Sequence, residues 1–94
     1  MESIRAIDIF IVGEAENAGT YSVSSLSTLI TALFEAGGPN KNGSLRDIRL
    51  MRDGELVSSI DLYEFFINGT KKGDIRLQQG DTIFIPVIGA VSGI

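Results

Sequence analysis

Neither cysteine nor histidine occurs among the 94 residues, tryptophan is absent, and proline appears twice. Without cysteine there is no disulfide framework and no thiolate metal site, so apolar packing must hold the fold by itself. Without histidine as well, the commonest general base and the strongest nucleophile are both missing, which leaves catalysis poorly supplied. Basic residues are outnumbered: eight lysines and arginines face twelve acidic residues, for a net charge of −4. Nucleic acid and anionic lipid both need a basic face, so neither is expected as a partner. No apolar run approaches the length of a membrane span, and no basic-then-apolar leader opens the chain. Direct membrane insertion by this domain is therefore not expected.

What is present reads as one globular domain over residues 1–94. The hydrophobic share of 44% and charged share of 21% are ordinary for a packed core and too apolar for disorder. Ile4 to Val12 alternates, with Ile7, Ile9 and Ile11 on one face and Phe10 and Val12 on the other. Two apolar faces predict a strand buried on most of its length. Gly13 and Gly19 bracket a turn, and Thr20 to Val23 returns as the second strand of a hairpin.

Leu26, Leu29, Ile30, Leu33 and Phe34 fall on one helical stripe, with Ser24, Ser25 or Ser27 as N-cap and Gly37 as the left-handed stop before Pro39. Leu45 to Arg52 alternates again, with Ile48 and Leu50 inward, and Asp53-Gly54 is a two-residue hairpin signal. Glu55 to Ile60 returns, with Leu56 and Ile60 expected on the inner face. Asp61 can cap a short helical turn through Leu62, Tyr63, Phe65 and Phe66 that ends at Asn68-Gly69. A short strand from Ile75 to Leu77, a turn at Gln79-Gly80-Asp81 and a last strand from Thr82 to Val87 complete the chain. A hairpin, one main helix across it and further strands make an α+β fold of β-grasp plan. Residues 88–94 are apolar and strand-compatible, which suggests the start of a following segment of a longer protein.

Candidate sites are few. Gly13, Gly19, Gly37, Gly54 and Gly80 each end an element, where positive φ or close backbone approach is required, so a structural role accounts for them. Asp61 and Asp81 sit where a cap and a turn call for aspartate, and neither has the companion groups of an acid–base pair. Asp53-Gly54-Glu55 lacks the ligand density of a calcium loop, and Gly37-Gly38 ends a helix where a phosphate cradle would begin one. No metal and no cofactor is expected. Arg46, Arg49 and Arg52 with Lys71 and Lys72 form the basic set, with Arg49 expected on the face opposite Arg46 and Arg52. The loop from Gly37 to Ser44 is polar and glycine-rich, which suggests exposure and freedom to touch a ligand or neighbour.

Four stretches in register carry a resemblance. They are Val12-Gly13-Glu14 with Asn17-x-Gly19-Thr20-Tyr21; Ser27-Thr28-Leu29 with Ala36-Gly37-Gly38; Leu45-Arg46-x-Ile48-x-Leu50-x-Arg52-x-Gly54 with Asp61-Leu62-Tyr63; and Leu77-x-x-Gly80-Asp81-x-Ile83-Phe84-x-Pro86. This pattern resembles the soluble-ligand-binding β-grasp domains of bacterial outer-membrane polysaccharide export proteins. Ala18 departs from it, since that family often places proline before the glycine. The resemblance implies a non-catalytic periplasmic module of an outer-membrane-associated protein, joined to other copies or sister domains in a homo-oligomeric conduit. Arg46 and Arg49 are then candidates for the contact surface. A second implication is recognition of the exported saccharide, with Tyr21 and Tyr63 as ligand-binding candidates. A ubiquitin-like adaptor unrelated to export is a third reading, because a fold alone decides no function.

Overall fold

The computed structural model describes residues 5–88. Seven elements follow one another: β1 (Ala6–Gly13), β2 (Gly19–Ser24), α1 (Leu29–Glu35), β3 (Ile48–Arg52), β4 (Glu55–Ile60), α2 (Leu62–Asn68) and β5 (Thr82–Ile85). The five strands form one mixed sheet in the order β2-β1-β5-β3-β4. β1 runs parallel to β5, and the other neighbouring pairs are antiparallel. This is the β-grasp arrangement that the order of elements predicts.

One apolar cluster fills the inner face. Ile7, Ile9 and Ile11 of β1, Ile48 and Leu50 of β3, and Ile83 and Ile85 of β5 meet Leu29, Ile30, Ala32 and Leu33 of α1. A buried leucine or isoleucine contributes roughly 1.5–3 kcal/mol through its removal from water, so this layer supplies most of the drive to fold. At the end of α1, Gly37 donates to the Phe34 carbonyl and Gly38 to the Leu33 carbonyl, closing a Schellman cap.

The start of α1 differs from expectation. The N-cap is Thr28, whose hydroxyl accepts from the Thr31 amide while Thr31 reciprocates on the Thr28 amide. The serines before it serve a tight turn instead: the Leu26 amide donates to Ser24 Oγ, and Ser27 donates to the Ser24 carbonyl. Leu26 therefore lies outside the helix and exposed, and Phe34 is also exposed, so the buried stripe is narrower than the sequence suggests.

Four further expectations are corrected. β1 is buried on one face only: Phe10 is 40% exposed and Val12 is 39% exposed. Leu56 points away from the core at 59% exposure, because the β3–β4 ladder shifts between Leu50 and Met51. Leu50 pairs with Ser58 whereas Met51 pairs with Leu56, so Val57 is an extra residue, and one extra residue flips the alternation. Residues Ile75 to Leu77 form no strand of the sheet; Arg76 makes an isolated bridge to Thr28. The Gly37–Ser44 loop is anchored rather than free. Its Asn40 amide donates to the Glu14 carbonyl, its Ser44 amide to the Pro86 carbonyl, and Gly43 is buried. The expected following segment at 88–94 lies outside the described residues beyond Ile88.

Candidate functional site

The Leu62 amide donates to the Leu45 carbonyl at 2.7 Å, tying the bend before β3 to the start of α2. The next residue on each side of that bond is Arg46 and Tyr63. The Arg46 guanidinium carbon consequently sits 4.5 Å from the centroid of the Tyr63 ring, a cation–π contact. Beside it opens a pocket of about 420 Å³ lined by Arg46, Ser59, Ile60, Asp61, Glu64, Thr70 and Lys72. Its floor is the end of β4, one wall is the first turn of α2, and the other is the returning loop 70–74. That loop is held down by Ser58 Oγ, which donates to the Gly73 carbonyl at 2.6 Å. Gly73 has φ +91° and lies against the Ser59 carbonyl, where a Cβ would collide with backbone.

The two carboxylates of the pocket already have partners. Asp61 Oδ1 accepts from the Glu64 amide as the N-cap of α2, and Glu64 accepts from the Asn68 side chain. The two cations, Arg46 and Lys72, have no ion-pair partner among the described residues. The arrangement has charged donors, hydroxyls and acceptors converging on an open cavity. Nothing in it makes a nucleophile with an adjacent base.

The structure places the other candidates elsewhere. Tyr21 lies on β2, at the sheet edge opposite β4, packs against the core and donates its hydroxyl to the Asn17 carbonyl. Tyr63 instead stacks on Arg46 just ahead of β3, three places across the sheet from β2, so the two tyrosines belong to different surfaces. Arg49 projects from the outer sheet face, bonded to Asp47 at 2.7 Å and with its guanidinium carbon 5.8 Å from the Phe84 ring centroid. The Asp47 carboxyl is held below its usual value, first by that side-chain hydrogen bond. Arg46 precedes β3 in a bend, so strand alternation does not govern which way it points. Arg52 reaches back from the hairpin end of β3 and makes two bonds to Asp81, at 2.8 and 2.9 Å.

Asp81 sits in the turn that the sequence predicts, but its long-range partner is not legible there. It is fully buried, and besides Arg52 it accepts from the Gln78 amide. An aspartate after a glycine reads as a turn; nothing local announces a partner 29 positions away. Gly13, Gly19, Gly37, Gly38, Gly54 and Gly80 all have positive φ.

Two further apolar surfaces stand out. Phe34, Phe65 and Phe66 cluster with ring centroids 5.8–6.3 Å apart, beside the exposed Ile67. The outer face of the sheet carries Phe10, Thr82, Met51 and Leu56 in one cross-strand row, and Val12, Phe84, Arg49 and Ser59 in the next.

The mixed five-stranded sheet with its two helices and glycine turns defines an α+β domain of the β-grasp class. The chain matches the SLBB domain family over residues 8–85, and it belongs to that family. It is 32% identical over 82 residues to the polysialic acid transport protein KpsD of Escherichia coli. The match covers 86% of this chain and 14% of that protein. Among the described residues, no helix is long and apolar enough to cross a membrane.

Proposed function

We propose that the chain is a non-catalytic module of a polysaccharide export protein, working by contact with neighbouring domains or copies in a periplasmic, outer-membrane-associated oligomer. The observation that carries this is the outer sheet face. A sheet covered by helices on one side normally presents polar residues to water on the other. Here Phe10, Val12 and Leu56 are exposed, with Met51 and Phe84 half-buried between them. A contiguous apolar face of this kind marks an interaction surface in a soluble protein. The relative's much greater length supplies the class of occupant: other domains of the same parent.

The test is the double substitution Phe10→Lys with Val12→Lys in the full-length parent. Both side chains are already partly in water, so the 94-residue chain should keep its circular dichroism spectrum and lose less than about 1 kcal/mol. Oligomers of the parent should weaken or disappear in sedimentation. Full-sized oligomers from the variant would contradict the reading.

A second reading, recognition of the exported saccharide, is favoured by the Arg46–Tyr63 pocket. There the ring orients a guanidinium over a cavity rich in hydroxyls and carboxylates, which is the chemistry that hydrogen-bonds a sugar. Tyr63 then acts by fixing Arg46, which covers one face of the ring.

A further inference from the structure

We infer that the pocket between β4, α2 and the 70–74 loop selects a carboxylate-bearing saccharide over a neutral one. This rests on the saccharide reading of the same pocket and adds the class of sugar. The argument comes from which groups are already spent. Asp61 is occupied as the cap of α2 and Glu64 is bonded to Asn68, so both are held by the domain itself. Arg46 and Lys72 line the same cavity, yet neither forms an ion pair with these carboxylates or with any other described residue. Both carboxylates line the same cavity, and the Arg46 guanidinium lies on the Tyr63 ring and not on either of them. Arg46 is held by the face of Tyr63, which leaves its planar fork of N–H donors available.

A guanidinium fork matches a carboxylate through two parallel bonds, and an ammonium adds a point charge without directional demand. Ser59, Thr70 and the unspent oxygens of Asp61 and Glu64 supply donors and acceptors for ring hydroxyls. An anion with no hydroxyls would meet the two carboxylates without compensation. A neutral sugar would gain no ion pair from either of these exposed cations. The ligand that fits both halves carries a carboxylate and several hydroxyls on one ring. The pocket is open, so binding should be weak, in the millimolar range, which corresponds to roughly 4 kcal/mol.

The experiment is an amide-shift NMR titration of the 94-residue chain with short oligomers of sialic acid, galacturonic acid and hyaluronan. Maltotriose and a dextran oligomer serve as neutral controls, and a polyglutamate peptide as an acidic non-sugar. Saturable shifts at Arg46, Ser59, Asp61, Tyr63, Thr70 and Lys72 are expected with at least one acidic sugar. Arg46→Gln should weaken them about tenfold, a loss of about 1.4 kcal/mol, while the rest of the spectrum stays in place. Lys72→Met should weaken them less, and added salt should weaken them in the native chain.

Neutral sugars that shift the same amides equally, with Arg46→Gln indifferent, would overturn the inference and leave the saccharide reading standing. Equal shifts from polyglutamate would make this a site for an acidic protein surface and overturn the inference too. No pocket shifts with any sugar at millimolar concentration would remove both the inference and the saccharide reading beneath it.

Discussion

Asp81 and Arg52 show how much a single pair can determine. The carboxylate has no exposure, and its bonds to Arg52 and to the Gln78 amide join the β3–β4 hairpin to the turn that starts β5. Truncating Asp81 strips the Gln78 amide of its buried acceptor and frees Arg52, whose side chain is one-quarter exposed and regains water. Asp81→Ala should therefore cost about 1–3 kcal/mol in urea unfolding, a large fraction of the stability of a domain this small. A variant that unfolds at the native midpoint would show that the pair is incidental. Asp47 and Arg49 offer the surface counterpart. Arg49 lowers the Asp47 pKa from its usual 3.8, chiefly through the side-chain hydrogen bond. A carboxyl with a lower pKa folded than unfolded stabilises above the unfolded value and loses that contribution as pH falls through the folded one. The window thus opens below about pH 4, and the effect should be small and shrink with salt because both groups are largely solvated. Asp47→Asn should flatten that part of a stability–pH curve and leave neutral-pH stability nearly unchanged.

Among elements, α2 ties fold to site. Its cap, Asp61, is both the first acceptor of the helix and part of the pocket wall. Asp61→Ala should cost about 1 kcal/mol by thermal unfolding, in line with lost N-caps elsewhere. Gly73→Ala should cost more, because positive φ and the Ser59 carbonyl both oppose a Cβ; the 70–74 loop would lift from β4 and the pocket would widen. Unchanged stability in Gly73→Ala would contradict that account. Strand and helix identities were legible in the sequence wherever the signal is local. Ile7, Ile9 and Ile11, the Asp53-Gly54 turn and the Asp61 cap all act on immediate neighbours. Leu56 failed because a bulge is a relation between two strands: Val57 is extra only with respect to Leu50 and Met51, so no reading of β4 alone reveals it. Ile75 to Leu77 failed similarly. Their backbone serves α1, with the Ile75 carbonyl accepting from Leu29, while Asp74 accepts from Ile30.

At the scale of the molecule, the β-grasp plan followed from the order of hydrophobic runs and glycine turns, and the SLBB family from a resemblance carried by four motifs in register. The candidate site was legible only in part. Arg46 and Tyr63 were each suspected, for different purposes, and they meet because one backbone bond joins Leu62 to Leu45. Tyr21 looked equivalent in sequence and lies at the other edge of the sheet. Phe10 and Val12 were read as buried because hydrophobicity cannot distinguish a core from a surface awaiting a partner. That ambiguity is the substance of the functional proposal. The direct measurement is hydroxyl-radical footprinting of Phe10, Met51 and Phe84, compared between the isolated 94-residue chain and the assembled parent protein. Contact through the outer face predicts that all three are modified readily in the isolated chain and are protected in the assembly. Equal modification in both would contradict it and leave that face in water.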